Sequence, residues 1–297
     1  MSPAEFLRPE TELTIFELRA SDPAGLDFLA GPPEPEERFG PSLAGLHLEG
    51  DFAFLFFTED YCLDPFLEDC PFIEVRQIHR LRYDQWQDGA WMEAMTSGPL
   101  TVCPVWAAAG PGPKASGLEP IIIDPGLAFG FGGHPTTKAC LGFLVRLLRP
   151  GTAAVPVIRT ALDLGTGTGI LALAAARLGA GEILGVDHSH LAVRSARKNV
   201  LLNRLEGRVR IERGLAQAYA GRPGQLVMAN LPLFVLQELL ESGAFDGREH
   251  LIYSGLLPSE GEIFLEELTR RLGGKFILRD CFRGDRWISG LVDFTGG

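Results

Sequence analysis

The 297-residue sequence predicts an α/β protein in which strands and helices alternate through a C-terminal domain, residues 119–297. A small α+β domain over residues 1–82 precedes it, and a linker region, residues 83–118, joins the two. Three observations carry this reading. Residues 160–187, TALDLGTGTGILALAAARLGAGEILGVD, read as strand, glycine turn, helix and second strand. Apolar strands and amphipathic helices then alternate to the C-terminus. Before residue 83 the pattern is different, with period-two apolar runs separated by short turn-rich stretches.

In chain order, residues 10–18 (ETELTIFEL) alternate apolar and polar as a strand does, and residues 22–30 fit a short helix. Residues 31–41, GPPEPEERFGP, read as an acidic loop rich in turn formers. Residues 51–57 (DFAFLFF) are a strand, 60–69 a helix with Phe66 and Leu67 on its inner face, and 72–81 (FIEVRQIHRL) another strand. Trp86, Trp91 and Met92 predict a short amphipathic helix, residues 100–104 a strand, and 110–117 a flexible glycine-rich turn. Three of the four tryptophans (Trp86, Trp91, Trp106) fall in this region and are expected to pack a domain junction.

Residues 121–123 form a strand, followed by the loop DPGLAFGFGGHPTTK and a helix that Pro135 starts and that runs to Leu148. A glycine-rich loop in this place suits a cover over a ligand, with Phe129 and Phe131 as water-excluding side chains. His134 reads as a helix-start residue, and base chemistry there is the minority reading. In the stretch 160–187, Gly165, Gly167 and Gly169 make a turn without side chains at a helix N-terminus, so a ligand can lie against the backbone. Asp187, at the tip of the second strand, is placed to take both hydroxyls of a ribose. Together these predict an adenosine-bearing ligand. A dinucleotide fingerprint needs a third glycine where Ile170 stands, and no triphosphate-cradling G-x-x-x-x-G-K-[ST] loop is present.

Residues 188–203 predict an amphipathic helix, 209–212 a strand, and 225–230 (QLVMAN) another strand ending on Asn230, where ligands bind in open parallel sheets. A helix over 234–240, a strand over 250–254 and an amphipathic helix over 259–272 follow. Strands 275–283 and 287–294 close the chain as a hairpin.

Apolar content of 46% and charged content of 22% are those of an ordinary globular protein with a sizeable core. The N-terminus MSPAEFLRPE lacks the basic and apolar segments of a secretory signal, and no apolar run reaches the roughly 18–20 residues of a membrane span. Five scattered cysteines without a CxxC pair argue against a disulfide framework and a structural zinc site, and fit a reducing cytoplasm. No metal site is expected. Residues 1–100 hold 20 acidic and 6 basic side chains, a balance of −14, against 18 and 21 in the remainder. An acidic domain repels phosphate, so direct nucleic-acid binding is not expected. The same surface suits a basic protein, although acidity kept for solubility is the plainer reading.

The pattern D-x-G-x-G-x-G over 163–169, with an acid after the next strand, resembles motif I and the post-I acid of class I S-adenosylmethionine methyltransferases. IIIDPGLAFGFGGHPTTKACL, LDLGTGTGILALAAARLGA, GVDHSHLAVRSARKNV, MANLP and YSGLL occur in one order that resembles the ribosomal protein L-eleven methyltransferase (PrmA) family. The resemblance is strongest from Trp86 onward and weakens over residues 1–82, where the family carries a small substrate-recognition domain. It implies a Rossmann-like domain with a mostly parallel seven-stranded sheet whose last strand is antiparallel. It also implies S-adenosylmethionine as cofactor, with methyl transfer to lysine or α-amino nitrogen of a basic protein, ribosomal protein L-eleven. By the family's pattern Thr137, Gly165, Asp187 and Asn230 contact the cofactor, with Gly167 in the same turn; for transfer itself, the Asn230 amide oxygen is expected to accept a hydrogen bond from the acceptor nitrogen and orient it.

The sequence departs from that family at three places. Phe131 and Gly133 stand where the loop has threonines, the run Asn230-Leu231-Pro232-Leu233-Phe234 replaces Asn-Ile-x-x-x-Pro, and Thr166 replaces a common cysteine. The first two flank the reacting methyl. Two other readings therefore stay open: an N-methyltransferase with another acceptor (a different protein, an RNA base or a small molecule), and a relative that binds the cofactor without transfer.

Overall fold

The computed structural model describes residues 7–20, 26, 29, 33, 35–49, 52–86, 93–108, 118–127, 133–148, 157–284 and 286–295. The chain divides into two compact units, residues 1–92 together with 189–191, and the remainder from residue 93. The first unit is built on a four-stranded antiparallel sheet in the order β2-β3-β1-β4. Its strands are β1 (Glu12–Ala20), β2 (Leu43–Glu49), β3 (Phe52–Phe57) and β4 (Ile73–Arg82). Alternation along β1 and β3 puts Phe16, Leu18, Leu55 and Phe57 into one core, where Phe39 and Tyr61 meet the Phe57 ring edge-on and stacked.

Two expectations for this unit need correction. The stretch read as an acidic loop contains a helical turn, α1 (Pro35–Phe39). Pro35 occupies its first position, where a missing N–H costs nothing, and buried Phe39 anchors it before Gly40 at φ 82°. β2 was not foreseen, because its register shifts between Leu43 and Gly45 and so breaks the period of two on which strands are recognised. The expected helix over 60–69 is the shorter α2 (Asp64–Asp69), with Phe66 and Leu67 partly buried against the core. The expected helix over 22–30 lies outside the described residues except Leu26 and Leu29, both buried. α3 (Tyr83–Trp86) follows β4.

The second unit holds a three-stranded sheet, β5-β6-β7, of β5 (Met95–Ser97), β6 (Leu100–Pro104) and β7 (Ile121–Ile123). β5 was too short to register in the sequence. Trp91 and the turn expected at 110–117 lie outside the described residues. α4 (Pro135–Leu148) precedes a seven-stranded sheet in the order β10-β9-β8-β11-β12-β14-β13. It comprises β8 (Thr160–Leu164), β9 (Glu182–Asp187), β10 (Val209–Arg213), β11 (Leu226–Asn230), β12 (His250–Leu256), β13 (Phe276–Arg283) and β14 (Ile288–Phe294). The first five run parallel and β14 lies antiparallel between β12 and β13, so the expected mostly parallel sheet with an antiparallel last strand is present.

α5 (Ile170–Arg177), α6 (His190–Leu202), α7 (Leu233–Glu241) and α8 (Pro258–Leu272) supply the crossovers. β8, β11 and β12 are buried along nearly their whole length, as covered parallel strands are. Strand order reverses between β8 and β11, which opens a crevice at their carboxyl ends. No helix among the described residues is long and apolar enough to cross a membrane.

Candidate active site

The crevice begins at the glycine turn after β8. Gly165, Gly167 and Gly169 all have positive φ (75°, 55° and 83°), a conformation that L side chains resist. Gly165 and Thr166 donate to the Val186 carbonyl at 2.8 and 2.9 Å, tying the turn to the end of β9. Gly167 N–H donates to Asp187 Oδ2 at 3.0 Å, so the turn and the acid of the next strand are joined directly. A Cβ on Gly165 would overlap the end of the Leu231 side chain, next to Asn230.

Beneath the turn, Asp163 is buried and accepts from Thr166 Oγ1 at 2.7 Å and from Ala172 N–H at 3.1 Å. Burial pushes its pKa up to about 6, against those two hydrogen bonds, with the Asp187 charge adding to the rise. The folded state therefore holds a proton that the unfolded chain, at 3.8, releases earlier. Stability from this group is full below about pH 4 and is lost as pH rises through about 6, a difference of about 3 kcal/mol. Asp163→Asn keeps an acceptor oxygen and never charges. Its stability relative to the parent is expected to rise by about 3 kcal/mol between pH 4 and pH 7. Urea unfolding across that range checks this, and a pH-independent difference between the two would refute it.

At the start of α4, His134 behaves as the helix-start residue expected: its carbonyl accepts Lys138 N–H at 3.1 Å and its Nδ1 lies 3.4 Å from Thr136 N. Its Nδ1 is 2.7 Å from Thr136 Oγ1, and the ring meets Trp287 edge-on at 5.0 Å. Asn230, ending β11, donates from Nδ2 to the same Thr136 hydroxyl at 3.2 Å. Thr137 is 1% exposed and its hydroxyl has no hydrogen-bond partner among the described residues, the condition of a polar group awaiting a ligand. Cys140, one turn further, contacts Ser254, and burial raises its thiol to about 12, so it is not a nucleophile at neutral pH.

The five residues expected at a site thus fall into two linked groups, Gly165, Gly167 and Asp187 around the turn, and Thr137 and Asn230 at the α4–β11 junction. Phe129 and Phe131 lie outside the described residues. Sequence reasoning missed a third group. Asn199 on α6 and Asn203, the residue after its end, bond the backbone of β7 and of Asp124 that follows it. Asn203 takes Ile122 N–H at 2.8 Å and donates to Ile122 O at 2.6 Å. Asn199 takes Asp124 N–H at 2.7 Å and donates to Asp124 O and to Thr168 O, at 3.0 and 2.9 Å. It therefore pins the DPG loop to the glycine turn, while Lys198 holds the Asp124 carboxylate at 2.7 Å. The available signal was two asparagines at i and i+4, the first inside a helix, where asparagine is otherwise disfavoured, and the second at its end.

These residues fit an adenosine-bearing cofactor on two counts, the unsatisfied Thr137 hydroxyl and a side-chain-free turn bonded to an acid. Among the described residues no group of three or more His, Cys, Asp or Glu side chains is placed to hold a metal ion.

Comparison with known proteins agrees with the geometry. The family model described as Ribosomal protein L11 methyltransferase (PrmA) matches residues 75–292. A protein of Exiguobacterium sibiricum named ribosomal protein L11 methyltransferase is 32% identical over 196 residues, 64% of this chain and 57% of its own. One of the same name from Chloroflexus aurantiacus is 42% identical over 142 residues, 46% of this chain and 40% of its own. The chain thus spans less than two thirds of the length of either curated relative. The crystal structure of a ribosomal protein L11 methylase from Lactobacillus delbrueckii subsp. bulgaricus aligns with a TM-score of 0.57 at 28% identity, covering 69% of this chain and 100% of its own. The matched residues take in the glycine turn, the α4 start, Asn230, Asn199 and Asn203, and on that match the chain belongs to the ribosomal protein L11 methyltransferase (PrmA) family.

Proposed function

We propose that the protein is an S-adenosylmethionine-dependent methyltransferase of the cytoplasm that modifies lysine or α-amino nitrogen of a basic protein, ribosomal protein L11. The observation that supports this most directly is the bond from Gly167 N–H to Asp187 Oδ2, which sets a bare backbone turn beside an acid at a strand tip, the arrangement that suits a ribose. The names of the relatives support the acceptor, and the −14 balance of residues 1–100 suits a basic partner.

In this reading Gly165 and Gly167 let the cofactor lie on the backbone, Asp187 takes its ribose hydroxyls, and Thr137 and Asn230 complete the contacts. When bound, S-adenosylmethionine supplies a methyl group on a positively charged sulfur, open to in-line displacement. The chain's own work is positioning. The Asn230 amide oxygen accepts a hydrogen bond from the acceptor nitrogen and aims its lone pair. Desolvation near the half-buried Leu231 and Leu233 lowers the pKa of an entering lysine and favours the neutral, nucleophilic amine.

Calorimetric titration with S-adenosylmethionine tests the cofactor. Asp187→Ala, with folding verified by circular dichroism, is expected to weaken binding roughly 100-fold by removing charge-assisted hydrogen bonds. A parent protein that takes up no cofactor, or an affinity indifferent to the substitution, would overturn the reading. Heavy-methyl cofactor added to a lysate, with mass spectrometry of the products, identifies the acceptor protein and residue.

A further inference from the structure

The hydrogen bonds that run from Asn230 to His134 have a direction. Thr136 Oγ1 lies 2.7 Å from His134 Nδ1 and 3.2 Å from Asn230 Nδ2, and it has a single proton to give. The backbone N–H of Thr136 also points at His134 Nδ1, at 3.4 Å, so that nitrogen is an acceptor and the ring carries its proton on Nε2. The hydroxyl proton therefore goes to His134. What Thr136 offers Asn230 is a lone pair, which only the NH2 side of the amide can meet. The carbonyl oxygen of Asn230 is left facing away from Thr136. Burial keeps His134 below its usual pKa and hence in the neutral, accepting form, and the Trp287 ring braces it at an interplanar angle of 70°.

We propose that His134 and Thr136 are positioning residues that fix the orientation of the Asn230 amide, so that its oxygen and not its NH2 meets the nitrogen to be methylated. The proposal rests on the role given to Asn230 above. An amide flipped by 180° would set NH2 against an amine whose lone pair must instead point at the methyl. The heavy atoms of the two orientations are nearly identical, so shape alone does not select between them; the hydrogen-bond direction does. This gives a function to a histidine that otherwise only starts a helix, and to the first threonine of the HPTT run beside the cofactor-contacting second.

The test uses the full chain, purified ribosomal protein L11 as acceptor, single-turnover methyl transfer for rate and calorimetry for cofactor affinity. Thr136→Val keeps the size of the side chain but breaks the relay at its centre. It is expected to leave cofactor affinity within about twofold and to slow transfer roughly tenfold or more, the loss of one aligned hydrogen bond. Thr136→Ser restores the hydroxyl and is expected to recover most of the rate. His134→Asn places an amide oxygen where Nδ1 stood and is expected to be several-fold faster than His134→Leu. If His134→Asn is as slow as His134→Leu, histidine acts through its own proton chemistry and the relay is wrong. If Thr136→Val lowers stability or cofactor affinity while the transfer rate of the bound complex is unchanged, the pair is only a helix start and the relay is again wrong. A parent protein with neither binding nor transfer refutes the functional reading itself, a result distinct from both.

Discussion

Gly255→Ala is expected to lower the melting temperature by roughly 6–12 °C and to abolish cofactor-induced stabilisation. Gly255 sits in β12 at φ 88°, and an added Cβ would lie 2.8 Å from Leu231 O and 3.0 Å from Leu231 N. Both obstacles are backbone, and that backbone is held in place by Leu231 N–H donating to Ser254 O at 3.0 Å. Relief must come from moving the Asn230–Leu231 segment, not from turning a side chain. Left-handed strain of about 1–2 kcal/mol and overpacking of about 1–3 kcal/mol give a total near 3 kcal/mol. Gly274→Ala is the control: φ is 71° there, with nothing within 4 Å of a Cβ, so only the strain is felt. Thermal unfolding with and without S-adenosylmethionine decides, and equal losses for the two variants would remove the argument.

The second large effect is expected at Asn199→Leu, which keeps shape and removes all three hydrogen bonds. Asp124 N–H, Asp124 O and Thr168 O are stripped of their Asn199 partner, and Asp124 and Thr168 are 5% and 0% exposed. At about 1–3 kcal/mol for each buried hydrogen bond that loses one partner, with Ser195 Oγ still 3.4 Å from Asp124 O, the fold loses roughly 3–5 kcal/mol even after partial relaxation. Because Thr168 belongs to the glycine turn, cofactor affinity is expected to fall more than tenfold in whatever fraction remains folded. Asn199→Asp retains the acceptor for Asp124 N–H but loses both donors, and is expected to fall short of the parent as well. Wild-type affinity in Asn199→Leu would show that the loop and the turn are held independently.

The parallel sheet and its glycine turn were readable because their signals are local. Residues 160–187 carry the period of each element and its stop signals in sequence, and α4 and β7 were bounded to the residue by Pro135 and by three isoleucines. The four-stranded sheet was harder. β2 hides behind a register shift, and α1 behind prolines that in isolation mean loop. The site was legible where a motif occupies consecutive residues, as at 163–169 and 134–137. It was not legible where side chains 75 to 81 positions distant meet, as Asn199 and Asn203 meet Asp124 and Ile122. No periodicity encodes such a contact, and only the polarity of the two asparagines hints at it.

That contact also bears on solubility. Ile122 in β7 and Asp124 just after it turn their peptide groups toward Asn203 and Asn199, and an edge strand so placed ordinarily offers an open ladder to any passing chain. Here Asn203 fills the donor and the acceptor of Ile122, and Asn199 those of Asp124, as a neighbouring strand would. Two side-chain amides, shaped like the peptide groups they replace, close this side of the small sheet to intermolecular strand pairing.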